Sequence, residues 1–222
     1  MVRGEEMKTH TIGLSIKLRI LLILIPALLL TGCFTRAKTP YIVEQYILEY
    51  SSPVFKAHAL LDESIKIERF STAQSFNSTA MVYKPHAFKL AVYNYNRWRV
   101  TPGDMVTDYL LRDLRNSGLF RAVLSYRDVD STRFTLEGVI EEFLELDEGS
   151  NGKAILSLNI ALLDQNQKEI TRKVIFQKAY QLVEPQKGQT PEGLAQGMST
   201  AMARLSEQLI NDIYSAVKNR GH

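Results

Sequence analysis

Runs that alternate apolar and polar residues recur along the chain and predict half-buried β-strands. The turn-rich stretches "DEGSNGK" (147–153) and "DQNQK" (164–168) predict hairpins between the last three runs. A polar stretch without period, "STAQSFNSTA" (71–80), predicts a loop. The first strand-like run is "YIVEQYILEY" (41–50), and the alternating runs are "DESIKIERF" (62–70), "FKLAVYNYN" (88–96), "RFTLEGVIEEFLEL" (133–146), "KAILSLNIALL" (153–163) and "EITRKVIFQKAYQLV" (169–183).

The alternation also assigns side chains to faces. In the run 88–96 it places Phe88, Leu90 and Val92 on one face, and Ala91, Tyr93 and Tyr95 on the other. In the run 133–146 it places Phe134, Leu136, Ile140, Leu144 and Leu146 inward, and Glu137, Glu141 and Glu145 outward. Glutamates four residues apart on a strand are separated by roughly 13 Å, too far to share a proton or one metal ion. They therefore predict a solvated acidic stripe, or charges facing basic side chains, rather than a catalytic pair.

Two segments change to a helical period. The first begins at "TPGD" (101–104), where Thr101 fits the N-cap and Pro102 the first helical position, and Gly118 predicts its end. The second begins at "TPEG" (190–193). The predicted buried stripes are Val106, Tyr109, Leu110 and Leu114, and then Leu194, Met198, Ala201, Met202, Leu205, Leu209, Ile213 and Val217.

These elements, with a short strand predicted at Ala122–Tyr126, indicate an α+β domain. Its mixed, largely antiparallel sheet carries two main helices packed on it.

The beginning of the chain has the parts of a secretory signal peptide. Lys17 and Arg19 precede an uncharged run, "ILLILIPALLL" (20–30), which at eleven residues is too short for a comfortable membrane span. The run leads into Leu30-Thr31-Gly32-Cys33, which resembles the lipobox of bacterial lipoproteins. The alternative is a buried cysteine in an uncleaved anchor.

The lipobox resemblance implies cleavage between Gly32 and Cys33 and acylation of Cys33. It divides the chain into a signal peptide (1–32), a lipidated terminus with a short tether (33–44) and one periplasmic domain (45–222). Because Phe34 rather than aspartate follows the cysteine, the resemblance implies the periplasmic face of the outer membrane rather than retention at the inner membrane.

Cysteine count and charge narrow the class of protein further. Cys33 is the only cysteine, so a lipidated chain has no disulfide, and its stability must come from the core. The segment before Cys33 carries four of the 27 Lys and Arg residues and two of the 24 Asp and Glu residues. The mature chain is therefore close to a net charge of +1, which gives no support to a nucleic-acid partner.

No reactive constellation is apparent. His58, His86 and His222 lack metal-ligand spacing, and there is no G-x-S-x-G, P-loop or G-x-G-x-x-G motif. We therefore predict a protein that is not an enzyme and has no cofactor or metal.

The aromatic cluster "YNYNRWRV" (93–100) is the main candidate contact site. Tyr93, Tyr95 and Trp98 could meet a lipid or a peptide partner. The alternative is that they pack between a strand and the first helix, with the tyrosine hydroxyls hydrogen bonded.

The same region carries a family resemblance. The stretch "YKPHAFKLAVYNYNRWRVTPGDMVTDYLLRDLRNSGLFRAV" (83–123) is similar to the PqiC-like auxiliary lipoproteins of ABC-type transporters, which accompany mammalian-cell-entry (MCE) domain proteins. The matching positions are Tyr93, Trp98, Pro102, Leu110, Leu111, Leu114, Gly118, Phe120 and Val123, together with Cys33. The resemblance implies a small module with a mixed sheet and two main helices. It also implies a role in moving phospholipid between membranes without nucleotide hydrolysis.

The expected function is thus that of a non-enzymatic accessory subunit of an MCE-type lipid transporter. The expected partners are an MCE-domain envelope protein, the membrane through the lipid anchor, phospholipid and a second copy of the chain. One rival is an outer-membrane lipoprotein that regulates a cell-wall synthase by contact, and another is a hydrolase with an unrecognised site.

Overall fold

The alternating segments form strands, and two long helices pack against them. The computed structural model describes residues 41–56, 58–149 and 151–220. The strands are β1 Glu44–Tyr46, β2 Leu61–Ile67, β3 Ser71–Thr72, β4 Ala80–His86, β5 Lys89–Trp98, β6 Phe120–Ser125, β7 Phe134–Glu148, β8 Asn151–Asp164 and β9 Val174–Pro185. The helices are α1 Pro102–Ser117, α2 Ile170–Lys173 and α3 Pro191–Arg220, with a 3-10 turn at Gln74–Phe76.

Strand β7 organises the sheet. It pairs antiparallel with β8 along its whole length, and parallel with β2, β3 and β4 at successive levels. Strands β8 and β9 are antiparallel, as are β4 and β5, whereas β1 and β6 lie parallel to β5 and β2. The sheet is therefore mixed with long antiparallel ladders, and the predicted α+β fold class is confirmed.

Both long helices begin and pack as their sequences predict. The Thr101 side chain accepts from the Asp104 N–H at the start of α1, and Gly118 ends that helix with a φ of 63°. The Thr190 side chain accepts from the Gly193 N–H at the start of α3. All eight residues predicted for the α3 stripe are buried. None of the described helices is long and apolar enough to cross a bilayer.

Gly197 lets α3 lie close against β8. A Cβ at this position would stand 2.8 Å from the Cβ of Ala154, a fully buried residue of β8. The glycine weakens the helix by about 1 kcal/mol relative to alanine. The close approach of α3 to β8 explains why glycine occupies this position in spite of that cost.

The first strand-like run, 41–50, forms a strand only at Glu44–Tyr46. We call residues 47–56, which follow it, the strap. The strap crosses α1 and α3 because its polar groups find partners there: the Tyr109 hydroxyl donates to the Leu48 carbonyl, and the Glu49 N–H donates to the Ser199 hydroxyl at 2.9 Å. The prediction of a strand over the whole of 41–50 is thus wrong.

Two other sequence interpretations need correction. The stretch 71–80 is not a plain loop, because it contains β3 and the 3-10 turn and buries Phe76. The run predicted as a strand over 169–183 begins instead with α2, and the strand starts at Val174.

A β-bulge changes the faces of β7. The register shifts between Ile140 and Glu142, which adds one residue to β7. Beyond it, Phe143 and Glu145 are level with Leu156 and Ala154 of β8 and share their buried face, while Leu144 turns to the opposite face. Leu144 is nevertheless buried there, at 3% exposed, as predicted, whereas the prediction of an outward Glu145 is wrong.

Candidate functional site

The predicted lipidation site, Cys33, and the cleavage position at Gly32 lie outside the described residues. Their roles stay predictions. The described residues from Ile42 onward form one compact unit. The three aromatic candidates on β5 all lie in this unit.

Trp98 is a core residue. Its side chain is 1% exposed and packs edge to face on Phe143 of β7, with ring centroids 5.3 Å apart. The indole N–H has no hydrogen-bond partner among the described residues. In this conformation Trp98 stabilises the contact between β5 and β7 and offers no surface to a partner.

Tyr93 is half-buried and bound to a buried carboxylate. Its hydroxyl donates to Glu145 Oε2 at 2.7 Å, and its ring lies 5.1 Å from the ring of Tyr83. Burial, and then the hydrogen bond to Glu145, raise the pKa of the Tyr93 hydroxyl. Glu145 is 1% exposed, so the glutamate predicted to be solvated is the acceptor of a core tyrosine.

Tyr95 remains at the surface. The pairing of β5 with β4 jumps from Val92↔Val82 to Arg97↔Ala80, so β5 carries extra residues in between. This irregularity turns Tyr93 and Trp98 inward and leaves Tyr95 52% exposed. The structure therefore separates the three candidates into two that pack and one that is accessible.

The remaining glutamates of the predicted stripe lie at the surface, and Glu137 lines a shallow polar groove. Glu137 and Glu141 are exposed, and Asn159 donates to Glu141 at 2.5 Å. A groove of about 590 Å³ passes over Glu137, Val139 and Gln177 on this face of the sheet. No group of three His, Cys, Asp or Glu side chains in the described ranges is placed to hold a metal ion.

A second buried carboxylate, Asp113 of α1, holds the strap to both helices. Its side chain is fully buried and accepts from Tyr50 at 2.6 Å, Ser52 at 2.7 Å, Ser206 at 2.6 Å and Arg112 at 2.8 Å. Burial, and then the bond to Asp113, raise the pKa of Tyr50. All four groups donate to one carboxylate that solvent does not reach. The arrangement therefore fixes the strap to the helices and does not present Asp113 to a substrate.

Phe88 is the most exposed apolar residue on the β4–β5 hairpin, although the alternating pattern predicted it on a strand face. Phe88 occupies the two-residue turn, is fully exposed and has a φ of 65°. Leu90 and Val92, on the same face of β5, are each about half exposed. An aromatic residue at a turn position was the available signal, but the alternating pattern concealed it.

The family model described as "ABC-type transport auxiliary lipoprotein component" matches residues 46–210, from the end of β1 to the middle of α3. This chain belongs to that family. The match includes the strap, the β4–β5 hairpin, α1 and most of α3, so the elements described above are those of an auxiliary lipoprotein.

Solved structures share the fold of this auxiliary lipoprotein. A Xanthomonas campestris protein of the family DUF330 superposes with a TM-score of 0.73 at 17% identity, covering 81% of this chain and 99% of the other. The crystal structure of a second, uncharacterized protein superposes with a TM-score of 0.58 at 14% identity, covering 73% of this chain and 99% of the other. Comparison with curated proteins gave no match. The family description indicates a membrane-associated protein of the cell envelope that serves an ABC-type transport system.

Proposed function

We propose that this auxiliary lipoprotein is anchored through Cys33 and serves an MCE-type ABC transporter that moves phospholipid between the inner and outer membranes. The observation that carries the proposal is the family match over residues 46–210, directly behind a lipobox at Leu30–Cys33. Its place is the periplasmic face of the outer membrane, because Phe34 rather than aspartate follows the cysteine.

The proposed role is non-enzymatic. Two of the buried carboxylates, Glu145 and Asp113, accept from tyrosine, serine and arginine side chains inside the core, where no substrate reaches them. A protein whose buried polar groups serve packing acts most simply by contact. Tyr95 is the accessible member of the aromatic cluster, and we propose it as a partner contact.

The anchor has a direct test. Cys33→Ser should leave an unprocessed precursor that incorporates no labelled fatty acid. Normal maturation and labelling of that variant would refute the lipoprotein proposal. Residues 45–222 alone should fold but fail to replace the anchored form, because the anchor raises the local concentration at the partner.

A further inference from the structure

The β4–β5 hairpin carries an apolar tip that the fold does not use. The tip residue Phe88 is fully exposed, and Leu90 and Val92 continue the apolar surface along β5. Val92 is level with Val82 on the paired strand β4. We define these residues, Phe88, Leu90 and Val92, as the hairpin tip surface.

The conformation of Phe88 is unfavourable for its residue type. Ala87 and Phe88 form the two-residue connection between His86 and Lys89, and Phe88 alone of the two has a positive φ. A positive φ at the second central residue of a turn is ordinarily met by glycine or asparagine, because a Cβ crowds the backbone there. Turn chemistry therefore does not account for phenylalanine, and neither does packing, because the ring contacts solvent.

The hairpin and the residues on either side of it carry positive charges and no negative ones. From Phe70 to Gly103 the chain has no Asp or Glu, but it has Lys84, Lys89, Arg97 and Arg99. Neither Lys84 nor Lys89 has a carboxylate partner among the described residues. The acidic residues at the nearby end of β7 are engaged elsewhere: Glu148 pairs with Lys153 at 2.6 Å, and Asp147 accepts from Gln189.

Strand β1 runs away from the end of the sheet at which the hairpin tip lies. Strand β1 is parallel to β5, with Glu44 level with Asn96, so the start of β1 faces the end at which β5 starts, next to Phe88. Phe88 is eight residues from Asn96, roughly 27 Å along a strand. The eleven residues from Cys33 to Glu44 reach at most roughly 40 Å. A bilayer that holds Cys33 is therefore within reach of the tip.

We propose that the hairpin tip surface contacts an anionic phospholipid bilayer, with Phe88 entering the interfacial region and Lys84 and Lys89 meeting the headgroups. Exposed aromatic and aliphatic side chains enter the interface, and each lysine close to an anionic surface adds to the attraction. The geometry of this contact uses the Cys33 anchor of the proposed function, but the tip supplies an additional, charge-dependent attachment that orients the domain.

The test measures where the tip lies in proteoliposomes that contain the full-length, processed protein. Ala87→Cys is labelled with an environment-sensitive fluorophore, and quenching by lipids with nitroxides near the headgroup is recorded in vesicles containing phosphatidylglycerol and in pure phosphatidylcholine. Val129→Cys is the matched control. Val129 is fully exposed and lies near the end of the sheet opposite the hairpin tip. The preceding residue, Asp128, accepts through its carbonyl from Lys66, which is level with Thr135 at the start of β7.

The proposal predicts strong quenching at position 87 in anionic vesicles, weak quenching in neutral ones and none at position 129. Phe88→Asn should abolish the quenching at 87, whereas Phe88→Trp should retain it. Lys84→Gln and Lys89→Gln should each lower the ratio of bound to free tip about fivefold, and Lys168→Gln, in the connection after β8, should leave it unchanged.

Three results would overturn the proposal. If the label at position 87 is not quenched in anionic vesicles, the hairpin tip surface does not contact the bilayer, and a partner protein becomes the candidate for covering it. Quenching at position 87 that is equally strong in neutral and anionic vesicles would show that the lysines do not contribute to the contact. Quenching at position 129 as strong as that at position 87 would show that the tip does not orient the domain on the bilayer. Dye incorporation into the unsubstituted chain would instead refute lipidation of Cys33, and the tip would then be measured in a Cys33→Ser background.

Discussion

Replacement of Asp113 by asparagine tests whether the strap is held as the structure indicates. The substitution keeps the shape of the side chain and removes its charge. Because the Arg112 guanidinium can only donate, the amide oxygen must stay at the position of Oδ1. The amide NH₂ then faces the hydroxyls of Tyr50 and Ser206, which both donate to Oδ2 in the native protein. Those hydroxyls must turn to accept in a buried site.

The expected cost follows from the four hydrogen bonds to a charged acceptor. Hydrogen bonds to charged groups are each worth about 1.5–3 kcal/mol and neutral ones about 0.5–1.5 kcal/mol. With partial compensation by the reoriented hydroxyls, Asp113→Asn should lower the free energy of unfolding by about 2–4 kcal/mol. Asp113→Ala, which leaves the buried hydroxyls without an acceptor, should cost about 3–5 kcal/mol.

Urea unfolding followed by the fluorescence of Trp98, the only tryptophan and a buried one, measures these changes. Asp212→Asn is the matched control. Asp212 also accepts from a tyrosine, Tyr180 at 2.7 Å, and from a cation, Lys178 at 2.6 Å, but it is 36% exposed. The control should cost about 1 kcal/mol or less. An effect of Asp113→Asn no larger than that of the control would refute a strap held by a buried carboxylate.

Two further predictions concern the core and alkaline pH. Gly197→Ala should destabilise the protein by about 1–2 kcal/mol in urea unfolding, because overpacking against Ala154 outweighs the gain in helix propensity; adding Ala154→Gly should recover part of the loss, and additive effects would contradict the contact. Burial raises the pKa of Tyr50, Tyr93 and Tyr180 in the folded state. Stability should therefore be complete below about pH 10 and fall above it, where only the unfolded chain ionises; tyrosine-to-phenylalanine variants should fall less steeply, and an unchanged slope would be inconsistent with this assignment.

The two long helices and most of the strands could be predicted because their signals are local, whereas β3, β4 and α2 were missed. Thr101, Pro102 and Gly118 define α1 through the capping groups of its own ends, and the α3 stripe follows from a period that only one face of a helix satisfies. The hairpins β7–β8 and β8–β9 were also predicted from local turn chemistry. Each of these features depends on residues within a few positions of one another.

The faces of β5 and β7 could not be predicted, because they depend on pairing between distant segments. One extra residue in β7 reverses the face of Glu145, and the irregularity in β5 places Trp98 in the core while Tyr95 stays at the surface. The partners of Asp113 come from the strap, α1 and α3, so no local pattern signals its burial. Phe88 was concealed because alternation assigns a face to every residue of a run, including one at a turn.

The central claim is that this auxiliary lipoprotein acts by contact with an MCE-domain protein of a lipid transporter. The most direct measurement is pull-down of the native, lipidated protein from mildly crosslinked envelopes in detergent, followed by mass spectrometry, with Tyr95→Ala as the matched variant. The account predicts recovery of an MCE-domain protein with the native chain and reduced recovery with the variant. Recovery of a cell-wall synthase with no MCE-domain protein would contradict it.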